Sequence, residues 1–160
     1  MNINKHIMSL EGPILVLGAS GFIGANLFKM LLSKRDDVYG VCRLEKGWRL
    51  DDVDSKNIFH TDVNDSVALK NLINTITPRT VFDFISYGAY SFEDSHEIVY
   101  QTNFLSLTNI VTLLEEKGVS AYIHAGTSSE YGLNSKQPKE DSSLEPNSHY
   151  SSSKIAASYF

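Results

Sequence analysis

The stretch Ile14-Leu15-Val16-Leu17-Gly18-Ala19-Ser20-Gly21-Phe22-Ile23-Gly24 decides the fold. An unbroken apolar run that ends at once in glycine reads as a strand buried on both faces, the kind found in a parallel sheet. Beyond the glycine, Phe22 to Leu32 carries Phe22, Ile23, Leu27, Met30 and Leu31 at helical spacing, which predicts a helix with that face toward the core. Gly18, Gly21 and Gly24 join the two. A side chain at Gly18 or Gly21 would keep the backbone away from a bound pyrophosphate, and Gly24 lets the helix pack closely. The helix N-terminus supplies unpaired N–H groups and a positive dipole end for such an anion. Ten glycines in 160 residues would produce this spacing by chance about 0.04 times.

Outward from that turn, short apolar runs alternate with helical patterns. Strands are predicted at Val38 to Cys42, Ile58 to His60, Val81 to Ile85 and Val119 to Ala125. A helix is predicted at Val67 to Ile76 on the spacing of Val67, Leu69, Leu72, Ile73 and Ile76, with Asp65 or Ser66 as N-cap and Pro78 beyond its end. A longer helix is predicted at Ile98 to Lys117, closed by Gly118. Ser128 to Pro146 is polar and turn-rich and reads as loop, and a last helix opens at Tyr150 and runs to Tyr159. Strand–helix alternation with right-handed crossovers gives an α/β fold: a doubly wound parallel sheet of the Rossmann type, with ligands beyond the carboxyl ends of its strands.

A length of 160 residues suits one domain spanning residues 1–160. The net charge of -5 argues against a nucleic-acid partner, because phosphates are neutralised by a basic surface. No apolar run approaches the roughly 20 residues of a membrane span, and the start lacks the layout of a signal peptide. The lone Cys42 cannot form an internal disulfide, which fits a reducing cytoplasm. That compartment makes the Asn64-Asp65-Ser66 sequon idle. The five histidines, His6, His60, His96, His124 and His149, show no metal-ligand spacing. Trp48 and the other aromatics read as packing residues.

Tyr150-Ser151-Ser152-Ser153-Lys154 carries the second chemical signal. Tyrosine and lysine at i and i+4 share one helix face. A phenol with a pKa near 10 is a poor base at neutral pH, and a neighbouring ammonium favours its phenolate. Such a pair suits removal of a proton from a hydroxyl. The motif alone is weak, with roughly half a chance match expected in this chain. Its weight comes from following the glycine turn after the fifth strand.

Gly-x-x-Gly-x-x-Gly in the form "GASGFIG", followed by Tyr-x-x-x-Lys, resembles the extended short-chain dehydrogenase/reductases, a family of sugar-nucleotide epimerases, dehydratases and reductases. The resemblance implies a nicotinamide dinucleotide held by Gly18, Ser20, Gly21, Phe22, Ile23 and Gly24. It places Cys42 where NAD-using relatives carry Asp, so Arg43, with Lys46 as a weaker candidate, is expected on a 2′-phosphate. NADP is therefore favoured over NAD. It implies that Asp62 bonds the adenine amino group, with Val63 beside it, and that Ile85, Ser86 and Tyr87 line the cofactor cleft by their backbone. Asn103 is expected to brace the central helix.

For the chemistry, the resemblance implies Tyr150 as acid/base, Lys154 on the nicotinamide ribose, and a hydroxyl from Thr127-Ser128-Ser129-Glu130-Tyr131-Gly132 that orients the sugar oxygen. Alignment on Glu130 makes that hydroxyl Ser128, the preferred choice; alignment on Gly132 makes it Thr127. Glu130 keeps a 4,6-dehydratase open, behind an epimerase or 4-reductase. The resemblance runs from Ile14 to Phe160 but covers about half of a family member, stopping just inside the catalytic helix and lacking the substrate lobe. A non-catalytic dinucleotide-binding fragment is thus the other reading. A nucleotide-sugar substrate is expected for the whole enzyme. Self-association into a homo-oligomer is expected from an open fifth strand and from the apolar residues Ile155, Ala156, Ala157, Tyr159 and Phe160.

Overall fold

The computed structural model describes residues 2–44, 47–90, 92–134 and 136–160. Two compact units emerge: Met1–Ile85 with Ile110–His124, and Ser86–Asn109 with Ala125–Phe160.

The first unit is built on a parallel sheet of five strands in the order β3-β2-β1-β4-β5. These are β1 (Ile14–Leu17), β2 (Val38–Cys42), β3 (Ile58–His60), β4 (Thr80–Asp83) and β5 (Ala121–His124). The central β1 pairs Leu17 with Val41 on one side and with Asp83 on the other. All four β1 side chains are buried, because successive residues point to opposite faces and both faces are covered. Ile14 and Val16 enter a core with Ala25, Phe28 and Leu31. Leu15 and Leu17 enter another with Leu69, Leu72, Ile73, Ile110 and Leu114. The covering helices are α2 (Phe22–Leu32) on one face, and α3 (Ser66–Ile76) and α5 (Ser106–Glu115) on the other. Each fully buried Leu or Phe contributes about 1.5–3 kcal/mol.

The structure corrects the predicted face of α2. Phe22, Ile23 and Met30 are exposed, and the buried residues are Gly24, Ala25, Phe28 and Leu31. Small residues lead the inward face because the first turn sits against the glycine turn itself: a Cβ at Gly24 would strike the Gly18 carbonyl. Phe28 then lies across β2, where a Cβ at Gly40 would come within 2.6 Å of its ring and 2.8 Å of the Ala19 Cβ. In α3, Leu69, Leu72, Ile73 and Ile76 are buried as expected, but Val67 is exposed. Asp65 is the N-cap, accepting from Val67 N and Ala68 N at 3.0 Å each.

Three further expectations change. β4 and β5 are shorter than predicted, ending at Asp83 and His124. Trp48 is not a packing residue: it is exposed, with the Arg49 guanidinium 4.6 Å from its ring centre. A helix that the sequence reading missed, α1 (Ile3–Ser9), is tied down where Arg35 Nη1 donates to the carbonyls of Ile7 and Leu10 at 3.2 and 2.6 Å.

The second unit contains α4 (His96–Tyr100), a π-helical turn (Gln101–Leu105), the start of α5, a 3-10 turn (Ser128–Tyr131) and α6 (His149–Tyr159). The predicted long helix is thus interrupted by a π turn around Thr102 and Asn103. The predicted loop is closed on itself, with Leu133 N donating to Glu145 O at 3.2 Å and Glu145 N to Glu130 O at 3.1 Å. At Gly132, φ is +45° and a Cβ would collide with the Glu145 carbonyl, so glycine is required there. A reciprocal capping box starts α6: Ser151 N donates to Ser148 Oγ and Ser148 N to Ser151 Oγ, both at 3.1 Å. Of the apolar residues expected on its face, Ala157 is buried while Tyr159 and Phe160 are exposed.

Among the described residues, no helix is long and apolar enough to cross a membrane, and no group of three or more His, Cys, Asp or Glu side chains could hold a metal ion.

Candidate functional site

In the first unit the glycine turn leaves β1 at the point where the strand order reverses, between β1 and β4. That is where a doubly wound sheet opens its ligand crevice. Gly18 has φ +72°, and a Cβ there would lie 3.0–3.2 Å from the backbone of Phe84 and Ile85. Its glycine is therefore demanded by the protein's own chain as well as by any ligand. Ala19 N donates to Val41 O and Gly21 N to Gly18 O, both at 3.0 Å, which pins the turn to β2 and to itself. Gly21 is different. It is the N-cap of α2 with no side-chain cap bond, and a Cβ there would meet only the Gly18 carbonyl oxygen, at 3.2 Å. The first-turn N–H groups of Phe22, Ile23 and Gly24 have no intrahelical acceptor. An uncapped helix end behind a glycine that leaves its first-turn N–H groups uncovered by a side chain fits a diphosphate.

The residues expected around the adenosine lie at the neighbouring strand ends. Arg43 is exposed just after β2, and Lys46 lies outside the described residues. Cys42 is buried. Burial pushes its thiol up, opposed by side-chain and backbone hydrogen bonds with Ser20 of the glycine turn. Asp62, half-buried, accepts from Asn64 N at 2.9 Å; it shapes the turn ahead of α3, whose cap is Asp65. Val63 is buried in the core, so it offers only its backbone. Ile85 packs at the edge of that core.

In the second unit Asn103 ties the chain at Tyr87 to α6. Its Oδ1 accepts from Tyr87 N at 2.8 Å, and its Nδ2 donates to Tyr87 O at 2.8 Å and to Ser153 Oγ at 2.9 Å. Ser153 Oγ in turn donates to Tyr150 O at 2.8 Å. Tyr87 is thus held by its backbone, next to the exposed Ser86 at the start of the unit. Along α6, Tyr150 is half-buried and Lys154 is buried at 2% exposure. Thr127 caps the 3-10 turn, its Oγ1 accepting from Ser129 N at 3.2 Å, while Ser128 is exposed. Glu130 is half-buried.

Two groupings escaped the sequence reading. His149 sits with its Nδ1 3.3 Å from the Tyr100 hydroxyl and its ring 5.3 Å from that of His96. Asp83, Tyr122 and His124 converge at the ends of β4 and β5. Both join residues far apart in sequence, so no local spacing announces them.

The profile of the NAD dependent epimerase/dehydratase family matches residues 14–160. A UDP-glucuronate 4-epimerase of Thermodesulfobacterium geofontis is 28% identical over 158 residues, covering 91% of this chain and 49% of that protein. GDP-mannose 4,6 dehydratase 1 of Arabidopsis thaliana is 29% identical over 178 residues, covering 100% of this chain and 49% of that protein. The fold is shared with the Bordetella bronchiseptica enzyme WbmG, solved in complex with NAD and UDP. That likeness has a TM-score of 0.81 at 23% identity and covers 92% of this chain and 48% of that one. The chain spans about half the length of the two curated relatives.

Proposed function

The chain belongs to the NAD dependent epimerase/dehydratase family, and from that premise we propose that it carries the dinucleotide end and the acid/base pair of a nucleotide-sugar epimerase or 4-reductase. The observation that carries this reading is α6, with Lys154 buried and Tyr150 half-buried four residues before it. A buried ammonium is costly, and its place one turn beyond a phenol gives it a use.

A bound nicotinamide would accept a hydride from a sugar carbon and return it. The protein's part is the proton and the geometry. Tyr150, one turn before Lys154 on α6, takes the proton of the sugar hydroxyl as the carbon is oxidised and gives it back on reduction. Ser128 orients that oxygen; its exposure, against the capping duty of Thr127, supports the choice. The α2 N-terminus behind Gly21 holds the pyrophosphate, Asp62 and Val63 hold the adenine, and the backbone at Ile85, Ser86 and Tyr87 lines the cleft. Arg43, exposed where an acid would exclude a 2′-phosphate, favours NADP over NAD. The outer place of β5 in the strand order favours association of copies into a homo-oligomer. The single buried thiol suits the reducing cytoplasm.

The Arabidopsis dehydratase match along the whole chain keeps a second reading, in which Glu130 removes a proton beside the transient ketone. Turnover of UDP-, GDP-, CDP- and dTDP-sugars by a protein carrying this chain, with NADP or NAD, decides among them. Inverted sugar or 4-reduced product supports the first reading, and a 4-keto-6-deoxy product the second. Cofactor binding with no turnover of any leaves a dinucleotide-binding module.

A further inference from the structure

The first unit holds a buried polar cluster to which no role has yet been given. Asp83, the last residue of β4, is 2% exposed. Its Oδ1 accepts from Ile85 N at 2.9 Å. Its Oδ2 accepts from the Tyr122 hydroxyl at 2.7 Å and lies 3.0 Å from His124 Nδ1. A carboxylate only accepts, so His124 presents Nδ1–H to it. Burial first, and the Asp83 charge second, push the Tyr122 phenol far above the usual tyrosine range, which keeps that hydroxyl a donor. Asp83 and His124 are direct partners in the β4–β5 ladder, and Tyr122 precedes His124 by two residues on the same face.

What the cluster holds is the chain leaving β4. Phe84 N closes the last rung to β1, donating to Leu17 O at 3.1 Å. The next amide, Ile85 N, points by alternation to the other side of the strand, where β5 has ended at His124. Asp83 supplies the acceptor in its place. The chain is thereby set so that Phe84 and Ile85 backbone atoms stand 3.0–3.2 Å from the position of a Cβ on Gly18. An apolar residue would fill position 83 without the desolvation that a buried carboxylate carries.

We propose that Asp83, gripped by Tyr122 and His124, is a positioning residue for the dinucleotide: it fixes the Phe84–Ile85 backbone against which the glycine turn is held in its binding shape. This rests on the dinucleotide reading above.

The test is calorimetric titration of NADP and NAD into wild type, Asp83→Ala and Asp83→Asn, with circular dichroism to confirm folding. Asparagine keeps an oxygen for Ile85 N; alanine does not. Asp83→Ala should bind both cofactors about tenfold more weakly, the scale of one hydrogen bond to a charged group. Asp83→Asn should recover most of that loss, and its amide should change the His124 ring nitrogen shifts in NMR. A purely structural role would lower Tm in both variants and leave the affinity of the folded protein unchanged. Wild-type affinity in folded Asp83→Ala overturns the proposal, and so does an Asp83→Asn as weak as the alanine variant. Should Asp83→Ala fail to fold, Tyr122→Phe carries the same test, with a smaller loss for both cofactors expected and no loss overturning it. A wild-type protein that binds neither cofactor removes the dinucleotide reading itself, and this proposal with it.

Discussion

Each of the two units has its own interior chemistry. In the first, the buried polar residues are Asn57, Thr80 and Asp83, set among Ile14, Leu15, Val16, Leu17, Phe28, Leu31 and many other apolar side chains. In the second, the buried apolar residues are Val99, Leu107 and Ala157, while Thr102, Asn103, Ser106, Ser151, Ser153 and Lys154 are all buried. Apolar packing is non-directional and tolerates repacking. A buried polar network is stable only while its members stay paired. The unit that carries Tyr150 and Lys154 therefore has α6 placed by directed bonds, and the unit that carries the glycine turn has its sheet placed by volume.

Five experiments can break or sharpen that contrast. The largest effect belongs to Tyr150→Phe in an active protein carrying this chain. Turnover should fall about 10²–10⁴-fold, the scale of general acid–base catalysis, while calorimetry still finds the dinucleotide bound. Turnover near the wild-type rate would move the base elsewhere, with Glu130 or His149 next in line. Phe28→Ala should follow, costing about 3–5 kcal/mol in urea unfolding, because the ring is fully buried against Gly40 and Ala19. A loss below about 1 kcal/mol, the level of a tolerated swap, would mean the first unit is not placed by volume.

Asn103→Ala removes the bonds to Tyr87 and Ser153 and leaves buried groups unpaired, each at about 1–3 kcal/mol. Hydrogen exchange should rise in α6 and around Tyr87 while the sheet stays protected. Exchange rising equally in β1 would show that the two regions unfold as one. Arg43→Ala should weaken NADP by about tenfold, one charge-assisted contact, and leave NAD unchanged; equal losses, or a wild-type preference for NAD, would reject the 2′-phosphate assignment.

The smallest effect is acid loosening of α1. The Arg35 guanidinium holds the Asp37 carboxyl below its usual 3.8. A depressed acid stabilises the fold above its unfolded pKa and loses that contribution as pH falls through its folded one. The term is thus complete above about pH 4 and fades below it. The pair is partly exposed, so solvent limits it to less than about 1 kcal/mol. Asp37→Asn should flatten the acid limb of the stability curve; an unchanged limb would assign it to other carboxylates.

The contrast also explains what was legible. Periodicity found the apolar unit almost element by element: β1 (Ile14–Leu17), α2 (Phe22–Leu32), β2 (Val38–Cys42) and β3 (Ile58–His60) lie where the pattern put them, since burial on a sheet or helix repeats along the chain. Glycine spacing and Tyr-x-x-x-Lys marked the candidate site because each is a local device, complete within one turn of backbone.

By itself, then, the sequence determined the succession of the five strands along the chain, the helices α2 and α3, the glycine turn and the helix that carries Tyr150. The tertiary structure alone decided which way α2 faces, that Trp48 lies in solvent, that the long helix is broken by a π turn at Asn103, and that Asp83 meets Tyr122 and His124. The physical reason is range. Hydrophobic spacing shows that a helix has an apolar stripe, but the close approach of Gly24 to Gly18 chose the side that turned inward. Likewise a carboxylate and an imidazole 41 residues apart have no shared pattern along the chain until the parallel ladder sets them side by side.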